Sequence, residues 1–314
     1  MSKRHLRVER RLKVMGGPAL LVIDTPPRAQ YTAETILNQA IDLLASLESR
    51  FSRYRPESLI TQINQRSGTG HYTDLDTEAE ALFELAGQLW TESEGLFDIT
   101  SGPLRHAWDF RSGGKAAPDN IGQALELVGY GHIEWLGNSC HLPQAGMEVD
   151  LGGIVKEYAV DRTTAFLRNT GVTSGLVELA GDVAVIGSQG DETPWSIGIQ
   201  DPNGPGLLCS VSLVDAALAT SGNYARTLTH DEKKYGHLLD PRSGWPVSGP
   251  DSVSVIDAHC LAAGAVATVA CLKHEGAAID WLRDSQLPWL LCNAGERPVG
   301  PIAETLSSMV GGIE

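Results

Sequence analysis

The spacing of apolar residues along the chain predicts both helices and strands. Residues 33–50 and 76–92 place apolar side chains at helical intervals, and residues 258–273 form an alanine-rich helical pattern. Residues 12–23 follow the pattern of a first strand. The amino-terminal part of the chain is therefore expected to begin with a strand followed by a surface helix.

Strand patterns dominate the second half of the chain. The run GLVELAGDVAVIG is apolar on either side of Gly181 and Asp182, which predicts two strands joined at a bend. Further strands are predicted at residues 195–200, 208–214, 252–256 and 290–293. Because strands and helices do not alternate as βαβ units, the pattern favours an α+β fold with a mostly antiparallel sheet and flanking helices.

The candidate chemistry centres on the segment MEVDLGGIVKEYAVD. Its first residues alternate like a short strand, Gly152 and Gly153 interrupt the alternation, and helical spacing begins at Ile154. The glycines allow close approach of a ligand, and the first N–H groups of the helix suit a phosphate. Asp150 could accept a ribose, a ring N–H or a metal-bound water, and Lys156 lies one helical turn further on. The same pattern also fits an ordinary strand–helix connection with a capping aspartate.

Other segments combine turns with polar or aromatic side chains. Tyr54 precedes a proline turn, and Ser58 is placed to cap a short helix, in FSRYRPESLITQIN. The composition of SEGLFDITSGPLRHAWDF is typical of binding loops. His237 and Asp240 precede a rigid turn in YGHLLDPRSGWPV, which would hold both side chains in place. Each pattern also fits an ordinary loop or a structural histidine, so both interpretations stay open.

Composition limits the class of protein. The 314 residues are 42% hydrophobic, enough for a substantial core, and the net charge of −15 argues against nucleic-acid binding. The longest apolar run, residues 261–272, is too short to span a bilayer, so no transmembrane segment is predicted. The motifs GxGxxG, GxxxxGK(S/T), HExxH and GxSxG are absent, so dehydrogenase, P-loop, zincin and hydrolase interpretations lack their signatures.

Basic residues and cysteines bear on location. The first thirteen residues contain six Lys or Arg and a single Glu, as in a signal peptide, but no uninterrupted apolar segment follows them. The five cysteines are scattered and have no metal-binding spacing. We therefore predict a cytoplasmic protein with reduced thiols, in which residues 1–14 form a basic N-terminal segment.

Several of these segments occur in a characteristic order. They are Met15 with Gly16, SRYRPES followed by IN, GLFDITSGPL with Trp108, DLGGIVKEYAVD, the Gly181 and Asp182 pair, ATSGNYAR, HLLDPRSGWP and AGAVAT. Over about residues 15–273 this ordered set resembles the ApbE family, the FAD:protein FMN transferases. The resemblance implies a single ApbE-like, T-fold-like α+β domain over residues 15–314, with FAD held in a cleft.

The resemblance also implies a reaction and a set of site residues. The FMN moiety of FAD would move to a Ser or Thr hydroxyl of a target flavoprotein, with release of AMP and assistance from Mg²⁺. The implied flavin and adenosine contacts are Met15, Tyr54, Leu96, Phe97, Asp98, Asp150, Lys156 and the backbone at Leu239. The metal would bind the Gly153 carbonyl and Thr268. The base for the incoming hydroxyl would be His237 or a nearby carboxylate such as Asp240, and the sequence does not decide between them.

Some positions depart from the family's pattern. Gly264 stands four residues before Thr268, where the family has a metal-binding Asp, and Glu157 stands where Gly is usual. The motif ELAGD replaces an N-x-G-G-D pattern. Because Mg²⁺ usually keeps a carboxylate ligand, the implied metal site is weakened unless Asp257 or another acid substitutes. The second hypothesis is therefore an FAD-binding protein, or a slow FAD pyrophosphatase, that does not flavinylate a partner.

Overall fold

A large antiparallel sheet organises the fold. The computed structural model describes residues 5–110, 116–224 and 226–304. Its strands are β1 (Leu6–Val14), β2 (Gly17–Thr25), β3 (Thr73–Asp74), β4 (Glu134–Leu136), β5 (Ser139–His141), β6 (Gly175–Leu179), β7 (Asp182–Ile186), β8 (Trp195–Gln200), β9 (Leu207–Leu213), β10 (Ala217–Gly222), β11 (Thr227–His230), β12 (Lys233–Gly236), β13 (Ser252–Asp257) and β14 (Trp289–Cys292). The main sheet has the spatial order β1-β2-β6-β7-β10-β13-β14, with neighbouring strands antiparallel throughout. Smaller sheets pair β8 with β9, β11 with β12, and β5 with both β3 and β4.

Helices cover one face of the main sheet. They are α1 (Gln30–Phe51), α2 (Leu59–Gln65), α3 (Thr77–Glu92), α4 (Ile121–Leu125), α5 (Val155–Asn169), α6 (Cys260–Leu272) and α7 (Glu275–Asp284), with short 3₁₀ turns at Pro27–Ala29, Gly102–His106, Pro118–Asn120 and Tyr130–His132. Helix α1 packs on β1 and β2, α5 on β6 and β7, and α6 on β10 and β13. Within the described ranges, no helix combines the length and the apolar character needed to cross a membrane.

The two faces of the main sheet are covered differently. Leu21 and Ile23 of β2 belong to the core under the helices, whereas Val22 between them belongs to a second cluster on the opposite face. The β8–β9 hairpin covers that second face. Because side chains alternate along a strand, Asp182 of β7 lies on the same face as Ala184, towards the helices. This strand periodicity places a buried carboxylate beside α5.

The structure confirms the α+β class and most of the predicted elements. The predicted helices at residues 33–50 and 76–92 appear as α1 and α3, and GLVELAGDVAVIG forms the β6–β7 hairpin. Ser58 caps α2 by accepting a hydrogen bond from the Thr61 N–H (3.0 Å), and Asp76 caps α3 by accepting one from the Ala79 N–H (3.0 Å).

The first strand prediction is wrong. Residues 12–23 are divided between β1 and β2 by a tight turn at Met15 and Gly16, whose φ angles are 51° and 79°. Alternation continues on both sides of this turn, so the hydrophobic pattern alone does not mark it. Strand β1 also lies within the predicted basic segment and pairs with β2 along its whole length, so this part of the segment belongs to the main sheet.

The strand predicted before Gly152 is also not regular. Met147, Val149 and Leu151 are fully buried, which explains their alternation with polar residues. In this extended segment Glu148 forms an isolated parallel bridge with Ser101, rather than a ladder with a neighbouring strand. The predicted glycine turn and the helix after it are present, and the helix begins at Val155.

Candidate functional site

The turn at Gly152 and Gly153 brings distant segments of the chain together. The Asp150 carboxylate accepts a hydrogen bond from the Gly152 N–H (3.0 Å) and pairs with the Arg53 guanidinium (2.8 Å). The Phe97 ring packs so closely that a Cβ on Gly153 would lie 3.0 Å from its Cε2 atom. A glycine at this position therefore lets the ring and the turn meet. A fixed cation, a carboxylate and backbone N–H groups together can bind a phosphate and a polar ring edge.

Tyr54 lies beside this turn through its neighbour Arg53, whereas Met15 is bonded to Glu48 of α1. The Met15 N–H donates to Glu48 Oε1 (2.7 Å), and Glu48 also pairs with Arg55. The Tyr54 side chain is 65% exposed, and the Arg53 guanidinium lies 4.9 Å from the centre of its ring. An exposed aromatic ring beside a fixed cation is available to stack on a planar ligand.

A buried charge cluster lies at the start of α5. Lys156 Nζ pairs with Asp182 Oδ2 (2.8 Å) and lies 3.5 Å from Glu157 Oε1. Asp182 also accepts a hydrogen bond from the Thr220 N–H (3.1 Å) through Oδ1. Burial and the charge of Asp182 raise the pKa of Glu157 to about 7, against the opposing effect of Lys156. Glu157 Oε2 is buried, and none of the residues that the structure describes forms a hydrogen bond with it.

Helices α5 and α6 meet side by side in an antiparallel arrangement. The Asp161 carboxylate accepts hydrogen bonds from the Cys260 N–H (2.8 Å) and the Leu261 N–H (2.9 Å), the free donors at the start of α6. One turn earlier on α5, Glu157 packs against Gly264, one turn later on α6. A Cβ built on Gly264 would lie 2.4 Å from Glu157 Cγ. The contact between the two helices therefore exists because residue 264 has no side chain.

The two predicted metal-binding positions continue this register. Thr268 lies one helical turn after Gly264 on α6, and Gly153 lies in the turn that directly precedes α5, so both lie on the same side of the contact between Glu157 and Gly264. Thr268 is 9% exposed, and its Oγ1 shares a hydrogen bond of 2.6 Å with Ser221 Oγ. In the described part of the chain, no group of three or more His, Cys, Asp or Glu side chains could hold a metal ion by itself. A metal here would also need backbone, hydroxyl or substrate oxygens.

His237 lies close enough to Lys156 for the charge of the lysine to affect its pKa. Burial, with smaller contributions from the positive charges of Arg226 and Lys156, lowers the pKa of His237 to about 4. Its Nδ1 atom is buried without a hydrogen-bond partner. The imidazole is therefore neutral at neutral pH and has a ring nitrogen that no group among the described residues uses.

Asp240 has a different environment from His237. Its carboxylate accepts hydrogen bonds from the Arg242 N–H (2.8 Å), Nε (3.0 Å) and Nη2 (3.0 Å). Burial acts to raise the pKa of Asp240, but these bonds outweigh it and hold the pKa below its ordinary value. The neighbouring Leu239 forms a bridge with Pro246 that closes the same loop. Asp240 therefore organises the turn in this structure.

Asp98 is also used to organise backbone. Its carboxylate is 9% exposed and accepts hydrogen bonds from the Thr100 N–H (2.7 Å), the Thr100 hydroxyl (2.6 Å) and the Tyr130 N–H (2.9 Å). Burial raises the pKa of Asp98, although these hydrogen bonds oppose the shift. Asp98 and Arg242 line a cavity of about 540 Å³ together with Trp90 and Gly129.

The residues predicted for the site thus fall into two groups. The first lies around the glycine turn and the start of α5, and contains Tyr54, Phe97, Asp150, Gly153, Lys156 and His237. Met15 is bonded to Glu48 of α1, and Thr268 to Ser221 of β10. The second group contains Asp98 and Asp240, whose loops meet at the cavity lined by Asp98 and Arg242. Leu96 is buried in the main core, and Leu239 packs on smaller clusters beside that cavity.

Two charged partners in the first group were not predicted as site residues. Arg53 pairs with Asp150, and Asp182 pairs with Lys156 across 26 positions of the chain. The signal for Asp182 was its position at the glycine bend of a strand pair, where a buried carboxylate needs a cation. The signal for Arg53 was its neighbour Tyr54, but charge pairing over such sequence distances is not visible before folding.

Comparisons with known proteins agree with this architecture. A model described as the ApbE family matches residues 15–291. The FAD:protein FMN transferase of Vibrio cholerae serotype O1 is 28% identical over 268 residues, which are 82% of this chain and 79% of the relative. The protein of the same name from Chlamydia pneumoniae is 32% identical over 242 residues, 74% of this chain and 75% of the relative.

Solved structures show the same fold. The ApbE protein of Thermotoga maritima superposes with a TM-score of 0.86 at 26% identity, over 96% of this chain and 99% of that one. The flavin transferase ApbE from Vibrio cholerae superposes with a TM-score of 0.81 at 25% identity, over 95% of this chain and 97% of that one. The family match extends over most of the chain and includes the glycine turn, the charge cluster and α6. The chain belongs to the ApbE family.

Proposed function

We propose that the protein is an FAD:protein FMN transferase. Curated relatives carry this name over most of the length of the chain. The observation that carries the proposal is the glycine turn before α5, where the Arg53–Asp150 ion pair and the Phe97 ring meet backbone N–H groups. This arrangement suits the diphosphate and the rings of a flavin dinucleotide.

The proposed reaction exchanges the phosphoanhydride bond of the FAD diphosphate for a phosphoester bond to the partner. The oxygen of a Ser or Thr hydroxyl on a target flavoprotein attacks the phosphorus of the FMN half of FAD. The bond from that phosphorus to the AMP oxygen breaks, AMP leaves, and the hydroxyl proton passes to a base. The chain's contribution is to position the diphosphate and to compensate the charge on its oxygens.

His237 is our candidate for that base. It is neutral at neutral pH, and no described protein group bonds its Nδ1, so this ring nitrogen is open to the incoming hydroxyl. Asp240 is the weaker candidate because Arg242 occupies both of its oxygens. Lys156, fixed by Asp182, holds positive charge near the turn at which the diphosphate would bind.

A divalent cation fits the residues at the contact between α5 and α6. The proposed donors are the Gly153 carbonyl and the Thr268 hydroxyl, and the unpartnered Glu157 Oε2 supplies a nearby carboxylate oxygen. Oxygen donors of this kind suit Mg²⁺. When bound, Mg²⁺ would neutralise charge on the phosphate oxygens of the substrate.

The proposed function also implies a protein partner and a cellular location. The partner is a flavoprotein that presents a Ser or Thr hydroxyl to the glycine turn. A cytoplasmic location is supported by the five cysteines, all of which are free thiols, four of them buried.

Mass spectrometry tests the proposed reaction directly. The purified protein is mixed with FAD, Mg²⁺ and a flavoprotein fragment that bears an acceptor Thr, and a fragment with Thr replaced by Val is the matched control. We expect an FMN adduct on the Thr fragment alone, with one AMP released per adduct. FAD binding without an adduct, with any divalent ion, would instead indicate an FAD-binding protein. AMP and FMN release without an adduct would indicate a pyrophosphatase.

Substitution of the ion pair tests the location of the substrate. Asp150→Ala removes the partner of Arg53 and the acceptor of the Gly152 N–H. We expect the dissociation constant for FAD to rise about tenfold, the equivalent of roughly 1.4 kcal/mol. Isothermal titration calorimetry measures it, with the exposed Asp42→Ala as control. An unchanged constant for Asp150→Ala would remove the glycine turn from the binding site.

A further inference from the structure

The buried carboxylate of Glu157 is only partly compensated by the groups around it. The residue is 5% exposed, and Oε2 is buried without any hydrogen-bond partner in the described part of the chain. Oε1 lies 3.5 Å from Lys156, whose ammonium is closer to Asp182, at 2.8 Å. The cluster therefore holds two carboxylates and one ammonium. A buried carboxylate oxygen is costly unless a cation or a donor compensates it.

The position of Glu157 relative to α6 is specific. Its Cγ lies 2.4 Å from the place at which a Cβ on Gly264 would stand, and its Cδ lies 3.1 Å from that place. The Glu157 side chain therefore fills the space that a side chain at position 264 would enter. A carboxylate carried by α6 at position 264 and a carboxylate carried by α5 at position 157 cannot both occupy this space.

The register of the two helices fixes which groups are level with Glu157. Asp161 contacts the Cys260 N–H at one turn, and Glu157 contacts Gly264 at the next. The next turn of α6 carries Thr268, and Gly153 lies in the turn that directly precedes α5, so both lie beyond Glu157 towards the same end of the helix pair, the third level. One turn of helix is about 5.4 Å, so a side chain as long as Glu reaches from the second level to the third.

We propose that Glu157 supplies the carboxylate ligand of a divalent cation held between α5 and α6 with the Gly153 carbonyl and the Thr268 hydroxyl. Glu157 on α5 would thus provide the carboxylate that is expected at position 264 on α6, where this chain has a glycine. The inference rests on the proposed function for the presence of a cation. It adds that the residues at 157 and 264 act as one exchanged pair: a small residue on one helix makes room for the acid on the other.

Metal titration of the purified protein tests this assignment without any measurement of activity. Mn²⁺ binding is followed by electron paramagnetic resonance, with and without saturating FAD, and Mg²⁺ is added as competitor. We expect Glu157→Gln, which keeps the side-chain shape, to weaken Mn²⁺ binding by roughly tenfold or more. The control is Glu126→Gln, which changes an exposed Glu at the end of α4 and should leave Mn²⁺ affinity unchanged.

Exchange of the two residues separates a ligand from a merely structural carboxylate. Glu157→Gly alone should lose Mn²⁺ affinity, and Gly264→Asp alone should not gain it, because its Cβ meets Glu157. The double variant Glu157→Gly with Gly264→Asp should regain most of the affinity, a coupling that single substitutions cannot produce. Circular dichroism and thermal melting confirm that each variant is folded.

Three results would overturn the inference. They are an unchanged affinity in Glu157→Gln, a double variant no better than Glu157→Gly, and a parent protein that does not bind Mn²⁺ with or without FAD. The proposed function fails separately: a protein that binds Mn²⁺ through Glu157 but never forms an FMN adduct would contradict the transferase activity and leave the ligand assignment in place.

Discussion

Asp98 and Glu157 are both buried acids, 9% and 5% exposed, but they differ in how many hydrogen bonds their carboxylate oxygens accept. Every oxygen of Asp98 accepts a hydrogen bond from a nearby loop, whereas Glu157 Oε2 has no partner. Asp240 resembles Asp98, since Arg242 binds both of its oxygens. A saturated carboxylate holds backbone in place, and an unsaturated one is available to a ligand. The comparison separates structural acids from candidate site acids within one molecule.

The same distinction applies to His237. Its Nδ1 is a second buried atom without a partner, and the charge of Lys156 reaches both His237 and Glu157. Among the described residues, two ionisable side chains that feel the charge of Lys156 thus each have a buried polar atom without a partner. An enzyme that must bind a charged substrate and move a proton needs polar groups that its own fold leaves free.

The largest effect is expected from the removal of a saturated carboxylate. Asp98→Ala leaves the Thr100 N–H, the Thr100 hydroxyl and the Tyr130 N–H without their acceptor, so we expect the free energy of unfolding to fall by about 4 kcal/mol. Urea denaturation measures it, with the exposed Asp42→Ala expected to stay within about 0.5 kcal/mol of the parent. A stable Asp98→Ala variant that had lost FAD binding would instead make Asp98 a ligand-binding residue.

An intermediate effect is expected from the protonation of His237. Its folded pKa of about 4 lies below the ordinary 6.5, so the unfolded chain takes up the proton first as the pH falls. The stability that neutral His237 contributes is present above pH 6.5 and is lost as the pH falls to about 4. At 1.36 kcal/mol per pKa unit, the loss is roughly 3 kcal/mol.

Comparison with His237→Gln isolates this contribution from other titrating groups. We expect the parent protein to lose more stability than the variant between pH 6.5 and pH 4, with the difference constant at lower pH. Urea denaturation at half-unit pH intervals provides the two curves. Parallel curves over this range would show that His237 is not held in its neutral form by the fold.

The smallest effect on the free energy of unfolding is expected from replacement of Glu157, whose Oε2 accepts no hydrogen bond from a described residue. In protein freed of metal by EDTA, Glu157→Met replaces a buried charge with an apolar side chain, and Lys156 keeps Asp182 as its partner. We expect the free energy of unfolding to stay within about 1 kcal/mol of the parent value or to rise by that amount. A loss above about 2 kcal/mol would mean that Glu157 holds the fold as Asp98 does, and would remove the contrast between them.

Much of the fold was readable from local pattern. Apolar spacing predicted α1 and α3, the predicted cap at Ser58 is confirmed, and the glycine bend predicted the β6–β7 hairpin. These features depend on residues a few positions apart, whose periodicity the chain carries by itself. The turn at Met15 was missed because alternation looks the same on both sides of a two-residue turn.

Only part of the candidate site could be predicted from the sequence. Motif order indicated the family, and the family model that matches residues 15–291 confirms it. The sequence also identified Gly264 and Glu157 as departures from the family's pattern, but it did not show that the two residues are in contact. Asp257, considered as a substitute acid, accepts a hydrogen bond from the His259 N–H (2.8 Å) ahead of α6. It lies at the opposite end of that helix from Thr268.

The sequence by itself determined the α+β class, the main helices, the glycine turn and the family. Only the tertiary structure decided that Glu157 fills the space beside Gly264, that Arg53 pairs with Asp150, and that Asp98 is saturated. The physical reason is that hydrophobic periodicity and capping act over a few residues along one element. The burial of a charge and the partner that compensates it depend on groups that approach only when distant elements pack.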